Sequence, residues 1–126
     1  MAPTVALESA ALDGPDGIAW NARGQDFLLA PIGGQAIQTW KPGQQAPLNL
    51  PAGAGKFDGI EVERDGRAFV TSWADSTVFQ LYGTQLHRNV GPLDAPPADI
   101  SLDQRNGRLG VVSLTANRFE MWTLSK

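Results

Sequence analysis

Three aspartates recur along this chain in similar surroundings: Asp16 in Pro15-Asp16-Gly17-Ile18, Asp58 in Phe57-Asp58-Gly59-Ile60, and Asp99 in Ala98-Asp99-Ile100. If the fold brings them together, their carboxylates repel, and the cluster either takes up protons or recruits a cation. The chain has no Cys and a single His, so its ligand set is oxygen, which favours Ca²⁺, Mg²⁺ or Mn²⁺ over zinc. Such a cation could lower the pKa of a bound water for hydrolysis of a lactone or ester, with a nearby carboxylate as general base. Asp13 and Asp75 fall in loops expected at the same end, as weaker candidates for touching a substrate. The simpler reading of each Asp is a turn former or strand-start cap whose carboxylate accepts backbone N–H bonds.

Other chemistry has less support. His87 falls in a segment expected as an outermost strand, where an exposed structural role fits best. There is no Gly-x-Ser-x-Gly elbow. Gly33-Gly34 reads as a hairpin turn, with no helix after it to present an N-terminus to a phosphate. A net charge of −3 without a Lys/Arg cluster argues against nucleic acid and anionic membrane as partners. No apolar run is long enough to span a bilayer. The segment Met1-Ala2-Pro3-Thr4-Val5 lacks a basic and then apolar start, so a soluble chain without a signal peptide is expected, in no particular compartment. The absence of cysteine removes disulfides and thiolate metal sites.

The elements that must position the aspartates repeat with them. Short apolar runs separated by turn residues recur at a period of about 41 residues, the signature of β-propeller blades. With 14 Gly and 9 Pro in 126 residues, the composition suits a turn-rich all-β chain. The strand pattern predicts a first blade over 17–50, a second over 59–90 and a third over 99–124. Asp65-Gly66 is the strongest hairpin signal, because a tight turn needs positive φ. Ile37, Val78 and Phe119 share one repeat position, and Trp40, Leu81 and Trp122 another. Residues at matching depth in successive blades are expected to interleave into an inter-blade core.

The fold class expected is therefore all-β, three four-stranded blades, half of a six-bladed propeller. The third repeat stops after its third strand. An extended segment over 4–12 precedes the first blade and has the pattern of a displaced fourth strand. Three blades cannot close a ring, and an open sheet edge is a liability. Two copies about a two-fold axis would give six blades, each amino-terminal strand completing the partner's third blade. A different chain supplying the other half is the alternative.

The segments Phe57-Asp58-Gly59-Ile60-Glu61-Val62-Glu63-Arg64-Asp65-Gly66-Arg67-Ala68-Phe69-Val70-Thr71-Ser72-Trp73 and Pro97-Ala98-Asp99-Ile100 resemble the senescence marker protein/gluconolactonase-like family of six-bladed propellers. NHL-type propellers share the same rhythm. The resemblance covers the three repeats and implies about half of a family member. It implies a divalent metal at the top of the central channel, with Asp16 of Pro15-Asp16-Gly17 and Asp58 of Phe57-Asp58-Gly59 as ligands. Asp99 aligns either with Asp58 or with Gly59, depending on which flanking residue is matched. Asp13-Gly14-Pro15 stands where the family has a Glu-Gly-Pro ligand motif, and no Asn-Gly amide ligand is matched. Three functions remain open: a self-assembling half-propeller, natural or engineered as a fragment; a divalent-metal-dependent sugar-lactone or ester hydrolase; and a binding module that uses the funnel for a small ligand or the blade rims for a protein.

Overall fold

The turns form where the sequence supplies residues that tolerate positive φ. In Glu63-Arg64-Asp65-Gly66-Arg67, Gly66 has φ +92°, the Glu63 N–H donates to the Arg67 carbonyl at 2.8 Å, and the Asp65 carboxylate accepts the Arg67 N–H at 2.9 Å. The matching turn of the third repeat places Gly107 at φ 62°. The first repeat departs from this: Gln25, one residue after Gly24, takes the left-handed conformation at φ 55°.

The computed structural model describes residues 1–52, 55–90 and 93–124, without the side chains of 51–52 and 88–90. Three antiparallel meanders follow one another. The first is β1 (Pro15–Asn21), β2 (Asp26–Pro31), β3 (Ala36–Trp40) and β4 (Leu48–Ala52). The second is β5 (Phe57–Val62), β6 (Ala68–Ser72), β7 (Thr77–Tyr82) and β8 (Gln85–Val90). The third is β9 (Ile100–Asp103), β10 (Arg108–Ser113) and β11 (Arg118–Thr123). Strand β1 packs beside β5, and β5 beside β9, so the first strands of successive blades run side by side. No helix among the described residues is long and apolar enough to cross a membrane.

Two cores hold the blades face to face. Leu28, Ala30 and Ile37 of blade 1 meet Phe57, Ile60, Val62, Val70, Phe79 and Leu81 of blade 2. The other face of blade 2 sends Phe69 and Val78 against Ile100, Leu109 and Val111 of blade 3, with Trp122 beside them. Every residue of β6 is buried, because both of its faces are covered. Each fully buried large apolar side chain contributes roughly 1.5–3 kcal/mol. Trp122 serves packing in this arrangement. Trp40 instead lies on the outer face of blade 1, in a row with Phe27 and Trp20.

The segment 4–12, expected as an extended strand, pairs with no sheet among the described residues. A strand exists only against a neighbouring edge, and the described sheets offer this segment none. Its last residues instead form a short 3-10 turn, Ala10–Leu12, capped by the Ser9 hydroxyl accepting from the Ala11 N–H. The buried Gln38 amide donates to the Ala11 carbonyl at 2.7 Å and ties this turn to the outer face of blade 1. Strands β1 and β5 begin at residues 15 and 57, two residues earlier than the pattern suggests.

Candidate functional site

Those early starts contain the aspartates. In β1, Pro15 is opposite Pro31 and Gly17 is opposite Ala30, so Asp16 is one residue too many for the ladder. In β5, Phe57 is opposite Ser72 and Ile60 opposite Val70, which leaves Asp58 and Gly59 against Thr71 alone. The third repeat does the same before β9: the Ala98 N–H donates to the Val112 carbonyl at 2.8 Å, and the Val112 N–H donates to Asp99 O at 3.2 Å. All three aspartates thus sit at β-bulges, which bend the strand and re-aim the bulged side chain. The bulges also fix the alignment of Asp99. Ile100 pairs with Val111 as Ile60 pairs with Val70, so Asp99 matches Gly59 and Ala98 matches Asp58.

The electrostatics join the three. Burial raises the Asp58 pKa above the ordinary carboxylate value, and the neighbouring Asp16 carboxylate raises it further. Asp99 adds a smaller push in the same direction, while the Trp73 indole N–H pulls it down. That indole nitrogen is buried and completes no hydrogen bond of good geometry, so its effect is that of a nearby dipole. Glu61 is raised as well, first by burial and then by the charge of Asp99. Glu61 was not among the expected site residues. Strict strand alternation places residues three apart on opposite faces, and only the bulge leaves Asp58 and Glu61 both half-buried between core positions.

Asp13 and Asp75 stay outside this group. Asp13 adopts φ 56° in the loop before β1, and its carbonyl accepts the Gly33 N–H at 2.9 Å. Asp75 sits in the β6–β7 turn with its N–H donating to the Ser72 hydroxyl at 3.2 Å. Neither contributes to the shifts of Asp58 or Glu61. His87 is exposed on β8. Among the described residues, no three Asp, Glu or His side chains of this single chain converge as a metal-holding group.

The opposite end carries arginines. Arg67 is buried and donates to the Glu63 carboxylate at 2.9 and 2.5 Å, with its guanidinium 5.2 Å from the Phe69 ring centre. Beside it, a groove of about 550 Å³ opens between blades 2 and 3, bordered by Arg64, Tyr82 and Arg105. Arg23, Arg64 and Arg105 occupy the same turn position in the three repeats. Arg23 reaches across to the next blade, donating to the Asp65 carbonyl at 3.0 Å. Arg105 makes no such bond among the described residues.

The two outer blade faces are apolar. Ile18 is 62% exposed, whereas its counterparts Ile60 and Ile100 are 6% and 5% exposed against the preceding blade. Phe119 is 70% exposed, whereas Ile37 and Val78 are fully buried against the following blade. Trp20 extends the bare face of blade 1, and Val112, Leu114 and Met121 extend that of blade 3.

No known family profile matches the chain, and no curated protein resembles it in sequence. Solved structures do match in shape. A nidogen/laminin complex covers 85% of this chain and 42% of its own at a TM-score of 0.71 and 17% identity. Virginiamycin B lyase from Staphylococcus aureus covers 91% and 43%, at 0.60 and 17%. A streptogramin B lyase covers 89% and 55%, at 0.50 and 14%. These neighbours are β-propellers, and the chain spans about half of their length. At such identities the likeness is one of fold. The chain has the architecture of a half-propeller.

Proposed function

We propose that this chain is a self-assembling half-propeller that pairs with a second copy of itself to form a six-bladed ring. The observation that carries this reading is the pair of repeat series ending in Ile18 and Phe119. Positions that are buried wherever an adjacent blade exists are bare at the two ends of the array. Apolar faces of this kind mark association surfaces. A two-fold pairing sets blade 3 of each copy against blade 1 of the other, covering both faces and leaving no open end. The amino-terminal segment, with no strand partner among the described residues, would add to the free edge of β11 in the other copy. Arg105 would bridge to the first turn of the second copy, as Arg23 bridges to Asp65. Sedimentation velocity tests the reading: a mass of two chains, about 27 kDa from twice 13.5 kDa, is expected at micromolar concentration. A stable monomer, or a defined complex only with a different chain, overturns it.

A second reading rests on the Asp16–Asp58–Asp99 group with Glu61. In a closed ring two such groups would face one channel mouth, a setting for Ca²⁺, Mg²⁺ or Mn²⁺ held by carboxylates. The gluconolactonase-like resemblance makes hydrolysis of a sugar lactone the activity to test. Aldonolactone hydrolysis with each metal added should then fall in Asp16→Ala and Asp58→Ala. Equal rates in all variants, or none in any, remove this reading.

A further inference from the structure

Gly17 and Gly59 are where one first strand lets the next approach. A Cβ at Gly17 would overlap the Asp58 carbonyl oxygen, and the Ile60 side chain lies 3.2 Å from the same point. A Cβ at Gly59 would come within 2.9 Å of the Ile100 nitrogen and 3.0 Å of the Ala98 oxygen and Asp99 Cα. Neither glycine has positive φ, so what each position needs is room for the neighbouring backbone. Gly17 and Gly59 stand opposite Ala30 and Thr71, and the third residue of this series, opposite Val112, is Asp99. Asp99 is exposed and its carboxylate turns back to accept the Ile100 N–H at 2.9 Å. A shallow depression of about 300 Å³ runs from it past Ser101 and Val112 to Phe119 and Met121 on the same bare face.

We infer that Asp99 is the residue that sets how tightly the ring closes. This rests on the pairing of two copies proposed above. A blade docking on β9 as β5 docks on β1 would bring its own Asp16–Ile18 backbone against the Asp99 side chain. The junction between copies therefore stays wider at the channel end than the two junctions inside the chain. The apolar faces still meet further out, where Phe119 and Met121 lie. Closure is weaker than internal packing, so the ring is the separable joint of the assembly.

The dissociation constant of Asp99→Gly, Asp99→Ala and Asp99→Asn, each checked by circular dichroism for the unchanged sheet signal, tests this against the unaltered chain. Asp99→Gly should dimerise roughly ten-fold or more tightly, since it restores the glycine of the inner junctions and relieves overpacking. Asp99→Ala should fall between, and Asp99→Asn should stay close to the unaltered chain because its bulk is the same. An unchanged or weaker constant in Asp99→Gly overturns the inference while leaving the pairing intact. So does an Asp99→Asn as tight as Asp99→Gly, which would assign the effect to charge. No association in any variant removes the pairing itself, and this inference with it.

Discussion

Phe57 and Ile60 lie three residues apart on β5, yet both are buried in the core between blades 1 and 2. An unbroken strand would turn them to opposite faces. The bulge at Asp58-Gly59 brings both inward, and the same displacement leaves Asp58 and Glu61 outside that core. Packing and charge at this end of the blade are therefore set by one irregularity in the ladder. The apolar residues anchor the strand start, and the carboxylates are carried with it into a crowded, partly desolvated position.

That crowding gives a pH dependence with a definite sign. The folded-state pKa of Asp58 is raised, so the folded chain binds this proton more tightly than the unfolded one. Its contribution is most favourable below the unfolded value of 3.8 and is lost as pH rises through the folded value. Asp94 and Asp103, lowered chiefly by hydrogen bonds from Arg118 and Asn106, act in the opposite direction. The comparison must therefore be between variants. Asp58→Asn should unfold at higher temperature than the unaltered chain at pH 7, with the gap narrowing towards pH 4. A gap that widens on acidification would show that burial and Asp16 do not disfavour the ionised form.

The glycines of the first strands differ in what they tolerate. Gly59→Ala places a methyl 2.9 Å from backbone nitrogen, and should destabilise by about 1–3 kcal/mol through displacement of blade 3. Gly110 also lies within a strand, but its nearest neighbour is the Ser101 oxygen at 3.8 Å. Gly110→Ala should be neutral or stabilising by up to about 1 kcal/mol, as the unfolded chain loses freedom. Urea unfolding of the two variants measures the contrast, and equal costs would contradict it.

The repeat and its turns were legible because each blade repeats the same chemistry at the same spacing. Asp65-Gly66 announced its hairpin, and the series Ile37, Val78 and Phe119 announced which faces meet. The bulges were not legible, since an extra residue in a ladder is defined by the partner strand rather than by its own sequence. The same dependence on a partner strand hides Glu61, and only Val111 and Val112 fix the alignment of Asp99. The 3-10 turn at Ala10–Leu12 is also held by Gln38, twenty-seven residues away, a contact that no local pattern encodes.

The ion pair at the opposite end should be asymmetric under mutation. Arg67 and Glu63 side chains are 8% and 15% exposed. Glu63→Ala strips the carboxylate from a buried guanidinium and should cost about 3 kcal/mol. Arg67→Met keeps the apolar stem over Phe69 and leaves Glu63, the more exposed of the two, so its cost should be smaller. Thermal unfolding of both variants checks the order, and a costlier Arg67→Met would show that the guanidinium's stacking on Phe69 and Tyr82 outweighs the pair.

Phe119 separates folding from assembly. Within one chain it is exposed, so Phe119→Glu should change monomer stability by no more than about 0.5 kcal/mol. Its counterpart Val78 fills the core between blades 2 and 3, and Val78→Glu buries an unpaired carboxylate there. That variant should fail to fold at neutral pH. In the proposed ring Phe119 is buried at both junctions, and burying it contributes roughly 1.5–3 kcal/mol at each. Two junctions then weaken together, and the dimer constant should rise by about a hundred-fold or more. The expected result for Phe119→Glu is a folded monomer, with the circular dichroism of the unaltered chain and half its mass in sedimentation. An unchanged mass would place the association surface elsewhere, and a loss of sheet signal would show that Phe119 already has a covering within one chain.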